Sequence, residues 1–298
     1  MTERIDRLKT IATQLRRDVV NTIYHAGDGH PGPSLSISDL LAALYFDIMR
    51  LNPNEPNWLQ RDRFLLSKGH ACPMLYAALA RRGFFPPAEL KTLRALGSRL
   101  QGHPVMHYTP GVDATSGSLG HGLPQACGMA LAARRRGDDN LVFVLTGDGE
   151  LNEGLVWEAA MSIAKFKLTN VIAMVDNNGV QSGGKVDKVG GLVNLREKWE
   201  AFGWYVVEID GHNMEQIVSV LENAAKRGRC VTSEERNGMQ IVTNQPAPNP
   251  DQPIMIIART LKGSGIPFME GNNAWHKRVP TDEEHQIAMS ILGGKDLE

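Results

Sequence analysis

Cysteine is scarce in this chain of 298 residues: Cys72, Cys127 and Cys230 stand far apart with no CxxC spacing. That scarcity argues against a disulfide framework and a thiolate zinc site, and it fits a reducing compartment. Excess charge of either sign is also missing. With a formal net charge of -1 there is no electrostatic footprint for nucleic acid or for an acidic membrane. The short run Arg134-Arg135-Arg136 reads as a solvated helix end. No apolar stretch reaches the length of a membrane span, and the amino terminus MTERIDRLKT alternates charged with apolar residues instead of forming a leader. The expectation is a soluble, cytoplasmic protein. What remains is ordinary globular material, 42% hydrophobic and 22% charged, enough to bury a substantial core and to exclude disorder.

Ile5, Leu8, Ile11, Ala12, Leu15, Val19 and Ile23 recur at three- and four-residue steps, which predicts an amphipathic helix ending near Gly27-Asp28-Gly29. A second helix is predicted after Ser36, with Leu40, Leu41, Leu44, Tyr45 and Ile48 on its buried side. Short β-rich runs then appear at 63–66, 141–146, 171–175, 204–209 and 254–258, separated by helical stretches at 71–82, 121–136, 153–167 and 213–226. Most of the runs are too apolar to alternate, which indicates a sheet covered on both faces. The fold class is α/β, a doubly wound and mainly parallel sheet with helices on both faces. One domain is expected over 1–298, carrying an inserted polar and Pro-rich segment at 226–253 with a short strand at 239–242. A helical period returns in the tail at Ile287, Met289, Ile291 and Leu292.

Ligands of such sheets sit outside the carboxyl ends of the strands. Two polar signals fall there: Gly147-Asp148-Gly149 after the run 141–146, and Asp176-Asn177-Asn178 after the run 171–175. Mg²⁺ takes oxygen ligands in an octahedron shared with phosphates and water. Asp148 offers a carboxylate, Asn178 an amide oxygen and Val180 a backbone carbonyl. Two diphosphate oxygens and a water complete the set. A β-carbon at Gly147 or Gly149 would hold the backbone away from the phosphates, and the helix that follows turns free N–H groups toward the anion. The bland alternative is a tight turn with an N-terminal cap.

Four histidines lie in predicted loops beside glycine, proline or tryptophan: His30 in GHPG, His70 in KGH, His103 in GHP and His276 after Trp275. Zinc ligation is one reading, although no HxH or HxxxH pair supports it. Hydrogen-bonding and proton-carrying groups around a polyhydroxylated substrate are the other. His212 in Asp210-Gly211-His212-Asn213 reads as a strand-to-helix turn.

The stretches GHPG (29–32), LSKGHA (66–71), QGHP (101–104), GSLGHG (117–122), GDGELNEG (147–154), DNN (176–178) and KGSG (262–265) resemble, in order, the amino-terminal half of transketolase. That half holds the diphosphate of thiamine diphosphate. The resemblance implies that Asp148, Asn178 and Val180 bind the metal, Mg²⁺ with Ca²⁺ or Mn²⁺ as substitutes. It implies that Gly149 packs on the diphosphate and that His70 and His276 reach it. His30 and His103 are similar to the pair around the donor sugar's hydroxyls, with His276 also on the catalytic side. Gly117 and Leu119 match the loop facing the aminopyrimidine, and Glu153 and Glu158 match acids that link the two active sites of a dimer. Departures from the family pattern are Lys277, where Gly is common, and His121, where Gln is common.

Family members also carry a pyrimidine-binding and a carboxy-terminal domain, and the glutamate that protonates the aminopyrimidine lies in that second half. The ring becomes a nucleophile only with that acid in place. The resemblance therefore implies the amino-terminal subunit of a two-chain transketolase, an α2β2 heterotetramer in which a carboxy-terminal subunit supplies the missing domains. Such an enzyme moves a two-carbon ketol unit from a ketose to an aldose, with sugar phosphates as substrates. The alternatives are the α subunit of a thiamine-dependent 2-oxo acid dehydrogenase and a non-catalytic protein that binds thiamine diphosphate.

Overall fold

The computed structural model describes residues 2–190, 192–229 and 251–293. Helix α1 (Thr2–Ala26) buries Ile5, Leu8, Ala12, Leu15, Val19 and Ile23 along one stripe. It stops at Gly27, which adopts a left-handed φ of 64°. The second predicted helix, after Ser36, is preceded by a short extra one. A short α2 (Pro31–Leu35) opens with proline in its first turn, where the missing N–H costs nothing. Next comes α3 (Ser38–Ala43), which runs into a π turn over Leu44–Ile48. The strands are β1 (Arg63–Leu66), β2 (Val142–Gly147), β3 (Val171–Asn177), β6 (Tyr205–Asp210) and β7 (Ile254–Arg259). A two-stranded hairpin, β4 (Val180–Gln181) with β5 (Gly184–Lys185), follows β3. Helices α4 (Cys72–Arg82), α5 (Gly122–Arg136), α6 (Gly154–Lys165), α7 (Val186–Val189), α8 (Leu195–Ala201), α9 (Met214–Arg229) and α10 (Asp282–Ile291) complete the order.

All five long strands are parallel, in the order β1-β2-β3-β7-β6. Alternate strand residues enter different cores. Phe143, Leu145, Ile172, Met174, Ile254 and Ile256 join α1, α3, α4 and α9 on one face. Val142, Val144, Val171, Ala173, Val175, Met255 and Ile257 join α5, α6 and Trp199 of α8 on the other. Two covered faces explain why the runs are apolar at every position. They also give the doubly wound layer expected from the sequence.

The end of α9 and the buried face of the tail helix differ from the sequence reading. Helix α9 extends to Arg229, into the segment assigned to the insertion. It is held there by Arg229, which binds the Asp62 carboxylate and the Asp139 carbonyl, and by Gly228 against Leu141. The strand expected at 239–242 lies outside the described residues. In α10, Ile287 and Ile291 are exposed and the buried side is His285, Ala288 and Met289. Acidic residues in the first turn and the Thr281–Glu284 capping box start that helix. No helix among the described residues is long and apolar enough to cross a membrane.

Candidate active site

Both nominated strand ends meet. Gly147 at the end of β2 pairs in register with Asp176 of β3, and Asp148 N–H donates to the Asp176 carbonyl at 3.2 Å. The Asp148 carboxylate is buried. Its hydrogen-bond donors are backbone amides, Gly149 N–H at 2.7 Å and Gly179 N–H at 2.6 Å. Burial, together with the neighbouring Asp176 charge, pushes its carboxyl up to about 6. The Asn178 amide donates to Asp176 at 2.9 Å and its oxygen accepts Val180 N–H at 3.1 Å. The Val180 carbonyl accepts from Lys262 Nζ at 3.4 Å. Asp148, Gly149, Asn178, Val180, His70, Leu119 and His276 all line one cavity of about 220 Å³. A β-carbon at Gly149 would lie 2.7 Å from Gln181 Cβ, whereas one at Gly147 would have 3.9 Å to its nearest neighbour. The demand for glycine is thus set at 149 by the β4–β5 hairpin, and Gly147 has room for a methyl group.

Beneath this cavity lies a hub that sequence reasoning did not single out. The fully buried Asp176 carboxylate binds Lys68 Nζ, Ser36 Oγ, Thr260 Oγ1 and Asn178 Nδ2. Lys68 Nζ also donates to the Pro33 carbonyl at 3.0 Å. Burial alone would favour the neutral acid, yet the Lys68 charge and these hydrogen bonds hold Asp176 below the usual carboxylate range. Lys68 stood in the sequence only as a letter of KGH. The signal that could have found it is a lysine two residues past an apolar strand, where burial demands an acidic partner.

Three of the four histidines converge. The ring centres of His30, His70 and His276 are 5.3 to 5.6 Å apart. Gly32 permits this, because a β-carbon there would sit 2.7 Å from the Trp275 carbonyl, so α2 lies directly on the Asn273–His276 turn. His276 Nδ1 is 2.9 Å from Lys262 Nζ, and the same ammonium reaches Asn273 Oδ1 at 3.0 Å. His30 Nδ1 is buried and has no hydrogen-bond partner among the described residues. Burial lowers His30 to about 4, assisted by Arg94 and Lys277, and lowers His276 to about 4, assisted by Lys262. His70 is lowered further by burial and Lys68. Burial, with Lys68 nearby, also brings Lys262 down to about 8.

Imidazoles depressed below their unfolded value of about 6.5 contribute stability that is complete above that pH and is lost as pH falls toward about 4. Denaturant titrations between pH 6.5 and 4 are expected to show unfolding free energy falling with acidity. His276→Gln is expected to reduce that slope by about one proton. An unchanged slope in the variant would exclude His276 as a titrating contributor.

The remaining nominated residues lie at the margin of this cavity or beyond it. His103 is exposed and its ring rests near Gly117, where a β-carbon would be 3.4 Å away. Glu153 and Glu158 are exposed on and before α6, with Glu153 beside Gly120. At the rim, Asp28 is shared by Arg94 at 3.1 Å and Lys277 at 3.6 Å. His212, read as a turn residue, binds the Asp39 carboxylate through Nδ1 at 2.8 Å and accepts Leu261 N–H through Nε2 at 2.8 Å, next to Lys262. A larger cavity of about 440 Å³ opens at the amino ends of β1 and β2, lined by Arg63, Arg136 and Tyr108 among others, and contains none of the nominated residues.

Residues 7–232 match a family model described as transketolase, thiamine diphosphate binding domain. The chain is 41% identical over 292 residues to the 6-deoxy-6-sulfo-D-fructose transketolase subunit SqwG of Clostridium sp. (strain MSTE9), covering 98% of each. It is 38% identical to one of the subunits of an apulose-4-phosphate transketolase of Phocaeicola vulgatus, covering 96% of this chain and 93% of that one. A crystal structure of transketolase from Pichia stipitis superimposes with a TM-score of 0.85 at 28% identity, covering 98% of this chain. The chain spans 41% of the length of that transketolase.

Proposed function

The chain belongs to the family of transketolase thiamine diphosphate-binding domains, and from that premise we propose that it is the diphosphate-side subunit of a two-chain transketolase. The carrying observation is coverage: similarity runs over nearly the full length of two relatives named as transketolase subunits, and over less than half of a transketolase solved as one longer chain. A second subunit then supplies the pyrimidine-binding and carboxy-terminal domains, with two copies of each chain. In this reading residues 1–298 form one domain, interrupted by the polar segment.

The residues fit the cofactor. Asp148, Asn178 and Val180 offer three hard oxygen donors facing one cavity, as Mg²⁺, Ca²⁺ or Mn²⁺ requires. The buried Asp148 carboxylate is hydrogen-bonded by backbone amides and gains most from a divalent cation. Thiamine diphosphate, when bound, supplies the carbon acid that takes up the two-carbon unit. Gly149 would lie against its diphosphate, and His70, His276 and the loop at Gly117 and Leu119 would border it.

His30, His276 and His70 are held neutral at pH 7 by burial, so each can accept one hydrogen bond and donate another. The half-buried ring of His30 and the exposed ring of His103 suit sugar hydroxyls, and a proton leaving the substrate hydroxyl can pass to such an imidazole. Glu153 and Glu158 lie on the face offered to a neighbouring copy. Arg94 and Lys277 together outweigh Asp28 by one positive charge, which suits an anionic ketose such as a sugar phosphate. Similarity to transketolase subunits favours ketol transfer over a 2-oxo acid dehydrogenase role.

The test combines the purified chain with a second polypeptide containing the two other domains, thiamine diphosphate and Mg²⁺, and assays ketol transfer from phosphorylated, sulfonated and branched ketoses. Transfer is expected only when both chains are present. A stable complex that transfers nothing from any of these ketoses overturns the proposal.

A further inference from the structure

The turn after Asp148 carries a second buried carboxylate, Glu150, which the chemistry above does not use. Its Oε1 accepts Gly120 N–H at 2.8 Å and the Ser67 hydroxyl, and its Oε2 accepts Gly147 N–H at 3.0 Å. Ser67 Oγ in turn accepts Gly122 N–H at 3.1 Å. One side chain thus joins three separate segments: the end of β1, the loop entering α5 and the tip of β2. Each of these brings residues to the same cavity, namely Lys68 and His70, Leu119, and Asp148. The contacts leave no slack, since a β-carbon at Gly122 would overlap Ser67 Cβ.

No cation is paired directly with Glu150 among the described residues; its donors are two backbone amides and a hydroxyl. Desolvating this carboxylate costs free energy, which its three hydrogen-bond donors offset. What the charge adds is strength and direction in its bonds to loop amides. We propose that Glu150 is a positioning residue that clamps the loop carrying Leu119 and Gly120 to the diphosphate-binding tip of β2, and so sets the spacing between the two parts of the cofactor site. The clamp rests on the proposed function for the identity of what it positions, whereas its bonds stand on the geometry.

The test uses the full chain and Glu150→Gln, which keeps the shape but turns an amide toward either Gly147 N–H or Gly120 N–H, so that two donors face each other. Two readouts are taken: amide hydrogen exchange across the molecule, and binding of thiamine diphosphate with Mg²⁺ by calorimetry. The clamp predicts exchange at Gly120, Gly122 and Gly147 faster by about tenfold and cofactor affinity weaker by about tenfold, with exchange in the cores of β2 and β3 unchanged. Ser67→Ala should give the same local pattern with a smaller change, and it decides the matter if Glu150→Gln fails to fold. Wild-type exchange in the loop overturns the clamp. So does a uniform rise over the whole sheet with unchanged affinity, which marks a role in general stability only. If the wild-type chain combined with its partner subunit binds no thiamine diphosphate, the proposed function fails, while the exchange measurement still judges the clamp.

Discussion

Asp148→Asn is expected to lower ketol transfer by the reconstituted complex by about a thousandfold, since losing the proposed metal ligand would remove several kcal/mol of charge stabilisation. The substitution keeps the shape of the side chain. It removes the charge and turns an amide toward Gly179 N–H or Gly149 N–H, both of which now donate to the carboxylate. Thermal stabilisation by Mg²⁺ with thiamine diphosphate, expected of the wild type, should vanish with it. The wild-type effect should also depend on pH. Asp148 is pushed up to about 6 in the metal-free protein, so its contribution to stability is complete below about 4, the unfolded value. That contribution is lost as pH rises through about 6. A cation restores it above that pH and competes with the proton below it. Stabilisation by Mg²⁺ should therefore be large at pH 8 and fade as pH falls through about 6. A variant that keeps wild-type transfer removes Asp148 from the metal site.

Lys68→Met is expected to cost about 3–5 kcal/mol of stability by urea denaturation, because it leaves the buried Asp176 charge without its cation. Lys68 and Asp176 are 2% and 0% exposed at their side chains, so solvent cannot screen the orphaned charge. The double variant Lys68→Met with Asp176→Asn removes both charges and should recover part of the loss. A single variant within about 1 kcal/mol of wild type would show that the pair is as weak as a surface salt bridge.

The strand tips are legible in the sequence because their signal is local. An apolar run followed at once by GDG or DNN marks a strand end whatever the rest of the chain does, and parallel pairing then places Asp148 beside Asp176. The histidines are legible as a set, through the glycines and prolines beside them. Their grouping is not: His30, His70 and His276 meet because Gly32 admits the Trp275 carbonyl, a contact between positions far apart in the chain. The same limit hides the supports. Lys68, Glu150 and Lys262 each lie inside a recognisable motif, yet a motif does not say which of its side chains turns inward. The clearest cue lies in charge, since a lysine or glutamate buried at a strand end needs partners. The β4–β5 hairpin and α8 carry too few residues to establish a period.

The Asp176 carboxylate is reached by Ser36, Lys68, Asn178 and Thr260, residues spread over much of the polypeptide. A ribosome emitting this protein from its amino terminus therefore cannot release a working cradle piecemeal. Until Thr260 and Lys262 have left the exit tunnel, the anionic centre lacks its last hydroxyl, and the nascent chain offers cofactor no finished pocket.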